Sequence, residues 1–255
     1  MIALTRPLPP SIAACELTHL QREPIDVVRA TEQHRAYERA LEQLGCEVRR
    51  VDAAPQMPDS VFIEDTCVVV DELAVITRPG AASRRDETVA VERALAELRP
   101  IARIEAPGTL DGGDVLRVDR RVYVGNSGRT NEEGIRQLRE HLAGYDVRSV
   151  AVRGCLHLKS AVTQVGERTL LLNPEWIDRE LFADFDLIEV AEPFAANALL
   201  VNGKVLFPAA FPRTRERLER AGIEVITVEA DEIAKAEGAL TCCSVLVTPP
   251  NRMPR

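Results

Sequence analysis

The chain has 255 residues, 45% of them hydrophobic, enough to bury a substantial core in one large or two small domains and too much for a peptide-sized module. Its 32 basic and 40 acidic side chains give a formal net charge of −8 with no block of like charges, which argues against nucleic acid or an anionic membrane as the main partner. No apolar run approaches the ~18 residues of a membrane span, and the opening MIALTRPLPPS lacks the basic-then-apolar layout of a secretory leader. A cytoplasmic location is expected, and Cys15, Cys46, Cys67, Cys155, Cys242 and Cys243, with no CxxC spacing, fit free thiols better than a disulfide framework or a zinc site.

From the N-terminus, a unit of two β-rich runs, a helix and a returning strand recurs. A β-rich run at 2–5 is followed by a helix over 26–44, with Val27, Ala30, Tyr37, Leu41 and Leu44 on one stripe and a stop at Gly45. EVRRV at 47–51 then returns as a single strand. Runs at 66–70 and 73–77 flank Asp71-Glu72 as a hairpin, and Ser83 with Asp86 resembles a capping box for the next helix. A second hairpin pairs 115–118 with 122–124, Thr130 and Glu133 match a capping box, and DVRSV at 146–150 returns. A third joins 161–165 to 169–172, Asn173-Pro174 puts a capping residue before proline at a first helical position, and DLIEV at 186–190 returns. The fourth joins 198–201 to 205–207 through Asn202-Gly203, the strongest short hairpin signal, with EVITV at 224–228 behind it.

Hairpin centres recur roughly every 40 to 50 residues, the range of repeated supersecondary units. The runs at 243–247 and 2–5 would add a fifth unit if the chain ends meet, closing the array into a ring. Periodicity alone gives an ordinary α+β domain without rotational symmetry equal standing. No linker or low-complexity stretch divides the chain, so a single domain over 1–255 is expected.

Four segments put polar residues where a core would be expected: PDSVFIED at 58–65, TLDGGDVL at 109–116, CLHLKS at 155–160 and LTCCSVL at 240–246. Strand alternation through Leu156-His157-Leu158 would turn His157 away from both leucines, the pose a proton-transfer histidine needs, although a half-buried strand histidine fits as well. Alternation through Cys242-Cys243 would send the thiols to opposite faces, so one at most faces a site; two packed apolar residues is the plainer reading. In Asp111-Gly112-Gly113-Asp114 the glycines permit either a tight turn at positive φ or a close backbone approach. Asp59, Glu64 and Asp65 lie among apolar residues, and buried carboxylates need a cation: a guanidinium ligand matches paired carboxylates in geometry, a salt bridge to one of the chain's many arginines fits as well, and a metal site, with no histidine nearby, is the weaker alternative. His19, His34 and His141 read as surface or helix residues.

Together, and in this order, these four segments resemble those of dimethylarginine dimethylaminohydrolases, members of the pentein or guanidine-modifying superfamily. ITRPGAASRR at 76–85, GRTNEEG at 128–134 and IDVVRATEQH at 25–34 extend the resemblance over nearly the whole chain. It implies an α/β fold, a five-bladed αβ propeller of ββαβ repeats around a central active site. It further implies Cys242 as nucleophile, His157 as general acid and base, and Asp111 as the group that orients His157. Asp65, with Asp59 and Glu64, would surround a guanidinium; Arg84 and Arg129 would hold the α-carboxylate; carbonyls of Leu17 and Ala236 would meet the α-amino group. The implied reaction hydrolyses methylated arginine to citrulline through a covalent S-alkylthiouronium, with no metal and no organic cofactor, and the loop around Leu17 would act as a lid. The related arginine deiminases are longer and tend to read FTRD where this chain has FIED; the retention of Cys242, His157 and Asp111 in their motif contexts argues against a non-catalytic pentein with a purely binding role. Cys243, beside a thiolate, invites oxidative regulation, and a homodimer is permitted.

Overall fold

The computed structural model describes residues 1–249; the remainder of the domain expected over 1–255 lies outside the described residues. Among the described residues, fifteen strands form five three-stranded sheets of one design, an antiparallel hairpin followed by a helical crossover to a parallel strand. The first sheet takes β1 (Ile2–Thr5), β2 (Glu47–Arg50) and, from the other end of the chain, β15 (Val245–Val247). The others are β3 (Cys67–Val69), β4 (Ala74–Ile76) and β5 (Ile101–Arg103); β6 (Val115–Val118), β7 (Arg121–Asn126) and β8 (Asp146–Ala151); β9 (Val162–Gln164), β10 (Thr169–Leu172) and β11 (Asp186–Glu189); and β12 (Leu199–Val201), β13 (Lys204–Pro208) and β14 (Val225–Val228). β1 runs antiparallel to β15, Ile2 opposite Val247, and parallel to β2, so the chain ends do meet. Successive sheets touch through β15 and β3, β6 and β9, and β9 and β12, which makes the array the expected ring rather than an open α+β domain.

The helices follow their capping chemistry. α1 (Val27–Gln43) starts at Asp26, whose carboxylate accepts the N–H groups of Val28 and Arg29, and ends where Gly45 takes φ +84. His34 is buried on its inner face beside Ala30, Tyr37 and Leu41. α2 (Thr88–Ala96) follows a 3-10 turn over Ala82–Glu87, so the box expected at Ser83 is absent; the Ser83 hydroxyl instead donates to Glu16. α3 (Glu132–His141) is capped by Asn131, one residue past the expected Thr130, because the Thr130 hydroxyl is occupied by Asp114. No α-helix follows Asn173-Pro174: Asn173 accepts the N–H of Glu175 in a local turn, and the crossover is a 3-10 turn over Arg179–Phe182 capped by Asp178. α4 (Leu158–Ala161), α5 (Pro212–Arg220) and α6 (Asp231–Ala234) complete the set. At Asn202-Gly203 both residues have positive φ, +49 and +82, as a two-residue hairpin of this sequence demands.

Apolar burial is divided into five clusters, each formed where a crossover packs on its sheet or a neighbouring one. Tyr37 and Leu41 of α1 join Leu206 and Val228, for example, and Ile135 and Leu138 of α3 join Val122 and Val147. The polar segments are thereby left for the middle of the ring.

Candidate active site

Four of the five hairpins are entered through a short helical turn, and these turns meet near the ring axis: Ile63–Thr66 before β3, Gly112–Asp114 before β6, α4 before β9 and Thr241–Cys243 before β15. The turn before β12 supplies Asn197, whose amide donates to the Lys159 carbonyl and to the Thr241 hydroxyl and accepts the Thr241 N–H at 3.1 Å. Sequence reading passed over Asn197; its position just ahead of an inner strand, equivalent to that of the other polar turns, is the signal that marks it. His157 and Cys242 are therefore not on strands. His157 caps α4 with extended backbone, and Cys242 lies in a 3-10 turn, so period-two alternation does not apply to either. Even so, Cys242 lines the pocket while Cys243 is packed inward with its thiol on the Ala239 carbonyl.

Gly112 and Gly113 serve close approach, since neither has positive φ. A Cβ on Gly112 would sit 2.0 Å from the Glu64 carbonyl oxygen, and one on Gly113 would sit 2.6 Å from His157 Nδ1 and 2.7 Å from Asp65 Oδ1. The missing side chains let three turns converge on one histidine.

His157 lies between two carboxylates: Nε2 is 3.1 Å from Asp111 Oδ2, and Nδ1 is 3.8 Å from Asp65 Oδ1. Asp111 is itself held by the Gly80 N–H at 2.9 Å. Burial alone would push the imidazole pKa down, but Asp65, Asp114 and Asp111 outweigh it and raise it to about 9. Asp65 responds in the opposite sense: burial would raise it, yet His157 and Arg84 hold it at about 2. Asp114 closes the motif that Asp111 opens and anchors the turn that carries His157. It accepts the hydroxyls of Ser127 and Thr130 and the N–H of Leu158, fixing the residue next to His157, and burial lifts its pKa to about 6.

Cys242 shares a narrow pocket with His157, Asp59, Asp65, Arg84, Arg129, Glu16, Leu156 and Ala236. Burial, with the charges of Glu64 and Asp65, pushes its thiol pKa well up, so without a cation in the pocket it is protonated. Two wider clefts lie alongside, one lined by Glu64 and Lys159 and the other by Trp176 and Phe194, but His157 and Cys242 face neither of them. Asp65, Asp111 and His157 present donor atoms within 4.8 Å of one another, a spacing a metal ion could use, although Arg84 and the Gly113 N–H already engage Asp65.

The remaining expected residues divide. Asp59 and Asp65 line the pocket with Ala236 and Arg129. Glu64 does not; it turns into the adjacent cavity, where it pairs with Lys159 at 2.5 Å and accepts the Thr241 hydroxyl. Arg84, expected to bind a carboxylate, is buried with its guanidinium on Asp65 at 2.6 Å, on Glu87 at 2.9 Å and on the carbonyls of Asp59 and Phe62. Its buried partner Glu87 was not anticipated. Arg129 is freer: one Nη is 3.9 Å from Asp111 and the other donates to the Thr18 hydroxyl. The Leu17 side chain packs on the apolar cluster of α1, and its neighbour Glu16 reaches the pocket.

Residues 18–247 match the family model described as N,N dimethylarginine dimethylhydrolase, eukaryotic. The chain is 44% identical over 248 residues to an N(G),N(G)-dimethylarginine dimethylaminohydrolase from Streptomyces coelicolor, covering 95% of each. It is 40% identical over 226 residues to the protein of that name from Pseudomonas aeruginosa, covering 86% of this chain and 89% of the relative. Its fold matches a mutant of DDAH from Pseudomonas aeruginosa complexed with citrulline at a TM-score of 0.91 and 37% identity, over 95% of this chain and 97% of that one.

Proposed function

The chain belongs to the N,N-dimethylarginine dimethylhydrolase family, and on that premise we propose that it hydrolyses N-ω-methylated arginines to citrulline and methylamine or dimethylamine. The observation that carries the reading is His157, bracketed by Asp111 and Asp65, in one pocket with the buried thiol of Cys242.

In this reading Asp65 and Asp59 receive the substrate guanidinium, and the incoming positive charge opposes the carboxylate field that holds the Cys242 proton. The thiol releases that proton to solvent, and the thiolate attacks the guanidinium carbon. His157 protonates the departing amine as the C–N bond breaks, leaving an S-alkylthiouronium on Cys242. The neutral imidazole then takes a proton from water; the hydroxide adds to the same carbon, the C–S bond breaks, and citrulline leaves. Asp111 holds the ring orientation through both steps. Arg129, with its fork less engaged, binds the substrate α-carboxylate, and Arg84 positions Asp65 from below. Carbonyls of Leu17 and Ala236 receive the α-ammonium. No metal or cofactor enters these steps.

The test is citrulline release from asymmetric dimethylarginine, monomethylarginine and arginine in parallel, with Cys242→Ala as control. Release from the methylated substrates, lost in the control, supports the reading. Release mainly from arginine moves the chain to deiminase chemistry, and none from any of the three removes the substrate assignment.

The same reading takes residues 1–255 as one catalytic domain and the cytoplasm as its location, which six free thiols support. No helix among the described residues is long and apolar enough to cross a membrane. A small molecule is the partner the chemistry requires; a homodimer is checked by sedimentation.

A further inference from the structure

The loop ahead of α1 is tied across the pocket by side chains from separate turns. The Glu16 N–H donates to the Asp59 carboxylate at 3.1 Å, Ser83 donates to Glu16 Oε1 at 2.6 Å, and Arg129 donates to the Thr18 hydroxyl at 3.0 Å. The densest tie is Glu237, whose carboxylate accepts the N–H groups of Thr18, His19 and Leu20, three in succession, at distances from 2.5 to 3.0 Å. Glu237 holds φ +56, a region that disfavours any residue with a Cβ. The other two non-glycine residues with positive φ among the described residues, Asp119 and Asn202, sit in hairpin turns, where that geometry joins strands. Glu237 joins no strands. Its backbone conformation instead turns the carboxylate back over the pocket that Glu237 itself helps to line.

The chain neighbours of the two ends of this tie are Leu17, before Thr18, and Ala236, before Glu237. They are the residues whose carbonyls the proposed function assigns to the substrate α-ammonium. We propose that Glu237 is a positioning residue, a latch that draws the 18–20 backbone onto the 236–238 turn and thereby assembles the α-ammonium site from two loops far apart in the sequence. The inference rests on the proposed function for the identity of the ligand, but not for the latch itself. Ordinary loop closure would need no such carboxylate; a negative charge gathering three backbone donors makes a fixed geometry, of the kind an anion meets in a backbone nest. The consequence is selectivity for substrates that carry a free α-amino group, expressed in KM rather than in the chemical step.

Two measurements test it, using Glu237→Gln, which removes the charge, and Glu237→Gly, which removes the side chain while tolerating the positive φ. Hydrogen exchange on the unliganded protein should speed up about tenfold or more at the 18–20 amides in both variants, with α1 unchanged. In turnover, KM for asymmetric dimethylarginine should rise about tenfold with kcat within about twofold, whereas for the analogue lacking the α-amino group the variants should match the parent. Unchanged exchange at 18–20 overturns the latch whatever the activity shows. Faster exchange with equal KM increases on both substrates overturns the α-ammonium assignment. If the parent releases no citrulline at all, the proposed function fails, and the exchange result alone still decides the latch.

Discussion

At His157 the charge balance sets a direction for both activity and stability. The imidazolium persists to about 9 because three carboxylates outweigh its burial, so kcat/KM should lose its general acid as pH rises through that value. Asp111→Asn removes one of the three, and the alkaline limb should move to lower pH while the rate falls by about 10² to 10⁴; pH profiles of both proteins check this, and an unmoved limb would show that His157 is not the acid. The same shift acts on folding. A histidine raised from 6.5 to about 9 contributes stability that is complete below 6.5 and lost as pH rises through 9, at most on the order of 3 kcal/mol. Thermal unfolding of His157→Asn should therefore show a flatter Tm decline than the parent between those two values. Asp65, lowered to about 2, works in the opposite window: its contribution is present above 3.8 and is lost on acidification toward 2.

At the level of elements, the turns before the inner strands tolerate no added atoms. Gly113→Ala should abolish activity and cost several kcal/mol, because its Cβ would overlap both His157 and Asp65, whereas Gly128→Ala, with nothing within 4 Å of its Cβ, should leave activity and the urea midpoint nearly unchanged. Equal losses in the two variants would sink the close-approach account of the glycine pair. These turns also mark where sequence reading stopped. The four hairpins and four of the return strands were legible from β-branched runs and Asn202-Gly203, and α1 from its stripe, its Asp26 cap and Gly45. The β5 return was missed because three residues, Ile101–Arg103, are too short for a periodic signal. The caps at Ser83 and Thr130 failed because side chains from elsewhere in the chain, Glu16 and Asp114, hold those hydroxyls. Leu156-His157-Leu158 and Cys242-Cys243 read as strand because apolar residues flank them, but both are turns leading into strands. The residues proposed for the chemistry were picked out through resemblance of whole segments; Asn197 and Glu87, which hold their neighbours in place, carry no motif of their own. The occupied state of Arg84 follows from Glu87 lying one helical turn away, a contact visible only once the turn over Ala82–Glu87 is formed.

Across the whole molecule, the ring explains why residues so distant in sequence form one pocket: each sheet contributes the turn ahead of its first strand, and β1 with β15 completes the circle. Because Ile2 lies opposite Val247, a circular permutant opened between Asn202 and Gly203 and joined across residues 249 and 1 should fold with a Tm within about 5 °C of the parent and keep Cys242 reactivity. A permutant that expresses only as aggregate would indicate that the Asn202-Gly203 hairpin is needed early in folding. The closing contact also has a temporal meaning. Pairing β1 with β15 joins segments separated by nearly the whole described chain, the kind of contact that is slowest to form. Cys242 lies just ahead of β15, so during synthesis His157 and its carboxylates emerge long before the thiol proposed as nucleophile. Reactivity thus arrives with completion of the ring, and a chain whose synthesis halts early has no Cys242 thiol to alkylate.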